Sequence, residues 1–328
     1  MYKLIIISSL ISFFVTLIAI PRLIRYLKLI GLEVKDLNKQ HNTQLVPLSG
    51  GIAVMAGLFM ATMFFIFVQT FVYNNKNNLI QIIGGLLTIV MITFIGFVDD
   101  LLIKKNKESS YGLKQWQKPL LTLVAAIPLV AVYAGGAIIK IPLIGRLDLG
   151  LMYILILIPI GIVGAANMVN LLGGFNGVET GMGIVYTGML ALYAYINNRP
   201  VGLLISLITF SSLIAFYFYN KYPAKIFPGD SLTYLLGATL ASIAILGDME
   251  RAAVICSIPF FIEFILKARS KFKAQSYGYY KNEKIYSHYK KIYSITHFFT
   301  STGKFTEKQI TYFLILIELI FSSLIWIV

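Results

Sequence analysis

Runs of about twenty mostly apolar residues recur along the whole chain, and few patterns restrict a fold more tightly. A helix of that length crosses the roughly 30 Å hydrocarbon core of a bilayer. Lipid offers no partner for unpaired backbone groups, so only helices and closed barrels can span it. The runs fall at 4–20, 48–71, 79–98, 119–134, 151–166, 182–197, 200–219, 232–247, 252–266 and 310–327. They predict an all-α, polytopic membrane protein of about ten transmembrane helices, forming a single integral membrane domain over residues 1–328. Composition agrees: with 58% hydrophobic and only 13% charged residues, the chain lacks the polar surface to cover its apolar material in water. The first run follows Lys3, ends at Pro21-Arg22 and has no small-residue cleavage site, so it reads as a retained helix rather than a signal peptide. The single Cys256 excludes a disulfide framework and a multi-cysteine metal site.

Basic residues set the expected orientation. With the amino terminus outside, the inner side holds Arg22, Arg25, Lys28, Lys35, Lys39, Lys104, Lys105, Lys107, Lys114, Lys118, Lys221, Lys225 and ten more between Lys267 and Lys308. That is roughly 22 of the 28 Lys and Arg, a strong positive-inside bias. The net charge of +14 is thereby explained by anionic headgroups, so the partner is a lipid bilayer and no nucleic acid is called for. The expected placement is a multi-pass protein of the cell membrane, or of the endoplasmic reticulum in a eukaryotic source. On the outer side, Ile139, Lys140, Ile141 and Pro142 followed by Arg146, Leu147, Asp148 and Leu149 suggest a small β-hairpin.

The inner loops differ from the outer ones, because Asp36, His41, Asp99, Asp100, Asn167, Asn170, Asn176, Glu179 and Asp230 gather there. Polarity concentrated at one membrane face suits an interfacial site on the cytoplasmic side. Asp99-Asp100 follows an apolar run, where a helix C-terminus already carries negative charge, so something positive should compensate. The pair is either a solvated end with Lys104 and Lys105 as surface partners, or a carboxylate pair for a divalent cation or a proton. Asp230, in Phe227-Pro228-Gly229-Asp230-Ser231, is either a helix N-cap or part of a turn whose N–H groups face an anion. Between Asn167 and Gly181 stand three Asn, one Glu and four Gly, and no Lys or Arg. That segment is a glycine-rich helix break, or a loop whose carboxamides read a base edge or bind a metal. The basic, tyrosine-rich stretch from Lys267 to Lys291 reads first as an interfacial segment. His41, His288 and His297 lack metal-ligand spacing, and the chain has no P-loop, nucleophile elbow or dinucleotide fingerprint.

Four motifs in order, Asp36-Leu37-Asn38-Lys39, Gly96-Phe97-Val98-Asp99-Asp100, Asn167 to Gly181 and Phe227-Pro228-Gly229-Asp230, resemble those of the polyprenyl-phosphate N-acetylhexosamine-1-phosphate transferases. Leu147-Asp148-Leu149-Gly150 also fits, and the similarity is greatest to the branch acting on dolichyl phosphate. The resemblance implies that Asn170 and Asp230 bind magnesium, which manganese can replace, and that Lys118 binds the diphosphate. It implies that Phe227 stacks on uracil, which Asn176 and Leu37 also contact. Asp99 and Asp100 match the family's catalytic acidic pair. Two departures concern the sugar: Leu48 stands where eukaryotic members carry Glu, and an Arg-His-Arg element is replaced by Lys267, Arg269, Lys271 and Lys273, with Arg269 the substrate-binding candidate. The implied reaction joins a UDP-sugar to polyprenyl or dolichyl phosphate with release of UMP, and a homodimer is compatible with it. The alternative is a transporter or flippase for a phosphorylated lipid, but transporter ion sites lie near the midplane on broken helices, whereas the acidic residues here gather at one edge.

Overall fold

A computed structural model describes residues 1–37, 45–103, 112–132, 138–141 and 145–327, with residues 138–141 and 145–148 given by backbone alone. Asn38, Lys39, His41, Lys104, Lys105 and Lys107 lie outside the described residues. The long helices are α1 (Tyr2–Leu29), α2 (Gly51–Phe67) and α3 (Leu79–Ile103). Then come α4 (Gln117–Ala125), α5 (Ile127–Val132), α6 (Ile158–Val169), α7 (Val178–Ile196), α8 (Pro200–Asn220) and α9 (Gly229–Gly247). The chain closes with α10 (Glu250–Cys256), α11 (Ile258–Ala268), the short α12 (His297–Thr300) and α13 (Glu307–Ser323).

Every apolar run read from the sequence falls on helix. Six helices are long and apolar enough to cross a membrane: Tyr2–Leu29, Gly51–Val72, Leu79–Ile103, Pro200–Asn220, Gly229–Gly247 and Glu307–Trp326. Of the remaining runs, α7 is a continuous helix of 19 residues with a more polar sequence, the others are shorter or interrupted, and local chemistry explains two of the breaks. The run at 119–134 divides between α4 and α5 just before Pro128, and that at 252–266 divides between α10 and α11 just before Pro259. Proline lacks the N–H that would continue either ladder. Among the described residues this makes a mainly helical membrane protein with six candidate spans, where the sequence predicts about ten.

Helix α9 is the hub, packing on α2, α3, α6, α7, α8 and α10. It is the least apolar of the six spans and the most enclosed. The reason is size: Gly237, Ala238, Ala241, Ser242 and Ala244 let neighbouring backbones approach closely. One approach positions the site directly. A Cβ at Gly96 of α3 would run into Asp230 O and the Ser231 nitrogen, 2.8 Å away, so only glycine lets α3 touch the first turn of α9 there. Asp99 and Asp100 follow on the next turn.

Among the described residues three antiparallel hairpins decorate the helices. The expected one forms as β3 (Ile138–Ile141) with β4 (Gly145–Asp148), Ile139 facing Leu147. The other two, β1 (Glu33–Lys35) with β2 (Leu45–Pro47) and β5 (Tyr279–Lys281) with β6 (Lys284–Tyr286), were not expected. Strands of three residues are too short to show alternation in a sequence.

Candidate active site

The C-terminus of α3 and the N-terminus of α9 meet head to head, and this resolves the awkward Asp99-Asp100 pair. Helix α3 continues to Ile103, so both carboxylates lie in its last turns and are buried. Asp100 accepts hydrogen bonds from the backbone N–H groups of Asp230 (2.8 Å) and Ser231 (3.2 Å), and from Ser49 Oγ (2.6 Å). The positive end of α9 is therefore the compensating charge. Asp99 pairs instead with the Lys118 ammonium at the start of α4 and accepts from the Leu113 N–H.

Because Asp100 satisfies the start of α9, Asp230 is not spent on capping: Pro228 occupies the N-cap position and makes no side-chain cap of its own. Asp230 Oδ2 faces Lys118 Nζ at 3.0 Å and Asn170 Nδ2 at 3.1 Å. Asn170 Oδ1 accepts from Thr233 Oγ1 at 2.8 Å, one turn along α9. A carboxylate cluster of Asp99, Asp100 and Asp230 is thus bound around one ammonium and one helix terminus. Each charge in such a cluster depends on its partner, since removing one strands the other.

The Asn-rich segment is a helix break, and it also lines a cavity. It links α6 to α7 through Gly174 and Gly177, which hold φ of 113° and 85°. Asn176 Nδ2 donates to Asp36 Oδ2 (3.2 Å), while its backbone N–H donates to Glu307 Oε1 (2.8 Å) and its carbonyl accepts from Thr311 Oγ1 (3.2 Å). Phe227 is pinned by its backbone, the N–H on Pro47 O (2.8 Å) and the carbonyl on Gly50 N (2.9 Å).

These segments enclose a cavity of about 400 Å³. Leu37, Asp100, Asn170, Asn176, Phe227 and Asp230 line it, and Lys118 and Asp99 stand behind Asp230. Arg269 does not join them: it lies exposed beyond the end of α11. Lys267, two residues earlier and on the buried face, lines the cavity in its place and donates to Ala274 O at 2.6 Å. Leu48 makes part of the wall apolar.

Sequence reasoning missed the part played by residues 270–306. Far from being a plain interfacial stretch, they fold into a lobe that carries β5, β6 and α12 and closes one side of the cavity with Phe272, Gln275, Ser276 and Tyr277. Buried Glu263 anchors it by accepting from Ile295 N at 2.7 Å, and Ser276 Oγ reaches Leu171 O at 3.2 Å. His297 is buried within the lobe, its Nδ1 accepting from Tyr293 N (3.1 Å) and its Nε2 on Gln275 O (2.9 Å). Burial holds this imidazole below its ordinary range. The one legible signal was composition: five tyrosines among lysines, more polar than a membrane edge requires.

A second cavity, about 550 Å³ and almost wholly apolar, runs along α6 between α9 and α11. Asn167 and Pro119 lie at one end and Tyr153 and Glu250 at the other, where Tyr153 Oη donates to Glu250 Oε1 at 2.5 Å. Asn167 and Asn170 are one helical turn apart, so the end of α6 is the wall shared by the two cavities.

The chain matches glycosyl transferase family 4 over residues 82–248. It is 35% identical to a Saccharolobus solfataricus protein over 97% of its own length and 94% of that relative. A Sulfolobus acidocaldarius protein is 33% identical over 98% and 94%. Both carry the provisional name UDP-N-acetylglucosamine–dolichyl-phosphate N-acetylglucosaminephosphotransferase. A phospho-N-acetylmuramoyl-pentapeptide-transferase of Lactiplantibacillus plantarum is 32% identical over 78% of this chain and 80% of the relative.

Proposed function

The chain belongs to glycosyl transferase family 4, and on that premise we propose that it is a membrane transferase moving N-acetylglucosamine 1-phosphate from UDP-N-acetylglucosamine to dolichyl phosphate or a related polyprenyl phosphate. The observation that carries this reading is the adjacency, across the end of α6, of a cavity lined by charged and carboxamide groups and one that is almost wholly apolar. A soluble nucleotide-sugar and an isoprenoid lipid need just such unlike surroundings, with their phosphates meeting at the seam.

In this reading Phe227 stacks on uracil, with Asn176 and Leu37 at the base edge, and residues 272–277 with Lys267 face the sugar. The acceptor chain lies along α6 and brings its phosphate toward Asn167 and Lys118. An oxygen of the lipid phosphate forms the new bond to the β-phosphorus of the donor, and the bond from that phosphorus to the bridging oxygen breaks, releasing UMP. The nucleophile is already an anion, so the protein's work is to hold two anions together and offset their charge. Lys118 offsets part of it. Asp36, Asp100, Glu179 and Asp230 line the donor cavity against Lys35 and Lys267, so a diphosphate there calls for further positive charge.

The donor set fits a hard divalent cation. Asp230 keeps its Oδ1 outside the contacts with Lys118 and Asn170, and the Asn170 carboxamide can turn its oxygen toward Asp230 while its nitrogen donates to Thr233. Among the described residues no three carboxylate, imidazole or thiol groups converge as a cage. Two protein oxygens, with substrate phosphates and water completing the shell, are how magnesium is commonly held. Asp230 and Asn170 would hold it, and when bound it supplies charge neutralisation at the diphosphate. The shorter apolar helices complete about ten crossings in this reading, and the active site lies on the cytoplasmic face.

The test is release of UMP by purified protein from radiolabelled UDP-sugars with dolichyl or shorter polyprenyl phosphate, with and without a chelator. Turnover with UDP-N-acetylglucosamine that a chelator abolishes is expected. Full turnover in the chelator removes the metal, and no turnover with any lipid phosphate removes the reaction.

A further inference from the structure

A third cavity lies on the far side of Asn176 from the donor site. It is small, about 160 Å³, and is lined by Asn176, Tyr217, Lys221 and Tyr222 with Lys308, Thr311 and Tyr312. Its two ammonium groups make no hydrogen bond or ion pair among the described residues: Lys221 rests over the Phe218 ring at 5.9 Å and Lys308 over Tyr312 at 5.8 Å. No carboxylate lines the cavity among the described residues. Two unpaired cations flanking a pocket that also presents phenol and hydroxyl groups form a receptor for a compact anion with several oxygens. The volume suits a phosphate group and excludes a nucleotide.

We infer that this pocket binds a phosphate-bearing anion, the headgroup of an anionic lipid, and that the bound anion tightens the donor site through Asn176. Lys221 follows the C-terminus of α8 and Lys308 lies in the first turn of α13, both at the end of the bundle where the basic residues gather. That is headgroup level for the leaflet on the basic side. The coupling is short. Glu307 and Thr311, which hold the Asn176 N–H and carbonyl, flank Lys308 on the same helical turns. On the other side Gly177, at a φ only glycine adopts readily, packs its backbone against Tyr217 and Lys221, where a Cβ would sit 3.1 Å from the ring and 3.3 Å from Lys221 Cα. An anion bridging the two lysines draws α8 and α13 together on either side of Asn176 and restricts the residue that faces the nucleotide. The coupling, though not the anion site itself, rests on the proposal that Asn176 contacts uracil.

The full chain is reconstituted in nanodiscs of phosphatidylcholine alone, or with phosphatidylglycerol added. Native mass spectrometry reads retained lipid, and titration with UMP reads the donor site. Wild type is expected to retain phosphatidylglycerol and to bind UMP about fivefold more tightly in its presence. Lys221→Gln/Lys308→Gln loses both effects and keeps the phosphatidylcholine value. A control of equal charge, Lys290→Gln/Lys291→Gln, behaves as wild type, which separates the pocket from the general basic surface. Inorganic phosphate added to phosphatidylcholine nanodiscs separates a free anion from a lipid headgroup. Equal lipid retention by wild type and the Lys221/Lys308 variant, or none by either, overturns the site. Lysine-dependent retention without change in UMP affinity overturns the coupling alone. Failure of the transfer reaction with retention intact removes the proposed function and leaves the anion site standing.

Discussion

Asp230 shows why a residue's position on a helix does not declare its work. Its carboxylate stands in the first turn of α9, where an aspartate ordinarily caps, yet Asp100 from α3 takes the N–H groups and frees Asp230 for Lys118 and Asn170. Asp230→Asn should therefore leave α9 intact while reducing turnover about 10²-fold, the order of loss when a group that sets a metal site and its neighbouring ammonium is neutralised. UMP release beside a thermal melt in detergent checks both halves, and a melt that collapses with activity would make the residue structural. Phe227 belongs to the same scale. Stacking on a base contributes about 1 to 3 kcal/mol, so Phe227→Ala should weaken UDP-sugar binding by roughly five- to 150-fold without altering the affinity for lipid phosphate. An unchanged dissociation constant in the folded variant would make the ring a loop anchor only.

At the scale of elements, α6 and the lobe after α11 make separate demands. Gly161 faces the apolar cavity, and a Cβ added there meets nothing within 4 Å. Gly161→Phe should consequently fold, fill part of the groove and raise KM for a long-chain acceptor about tenfold or more, as expected when an apolar contact worth about 1.4 kcal/mol is lost. UDP-sugar affinity should stay constant, and equal use of short and long acceptors by wild type would show that the groove does not hold the chain. The lobe should respond to pH through His297. Its folded imidazole resists protonation, so below about pH 6.5, the unperturbed histidine value, the unfolded chain binds a proton that the folded one does not. Stability is then full above that pH and falls as pH decreases toward the lowered folded value. The melting temperature of wild type should drop between pH 6.5 and 5 relative to His297→Asn, and parallel curves would show that the folded imidazole takes up its proton as readily as the unfolded one.

The molecule as a whole places its chemistry at one end. The carboxyl ends of α3 and α6 and the amino ends of α7 and α9 carry the donor cavity, while Arg199 and Asp248, paired at 2.8 Å, and the Glu250–Tyr153 pair lie at the other end. With Cys256 replaced, single cysteines at Lys114, Lys221 and Ser301 should label only from the cytoplasmic side, and those at Asn75 and Asn198 only from outside. Labelling of the first group from outside would invert the topology.

What the sequence determined by itself were properties that depend on spacing and type: the membrane as solvent, the apolar runs, the hairpin at 138–148, and the motifs at 36–39, 96–100, 167–181 and 227–230 with their common side. Each is local, since twenty apolar residues need a bilayer wherever they stand, and a motif is legible because its residues are neighbours. Tertiary structure decided everything that depends on which ends meet. It gave Asp100 to the start of α9, released Asp230, put Lys267 rather than Arg269 against the cavity, and folded residues 270–306 into a wall. The physical reason is that a buried charge is defined by its partner, and Asp230 meets Lys118 and Asp100 from 112 and 130 positions away in the chain. Close backbone approach, permitted at Gly96 by the absence of a side chain, brought them into reach.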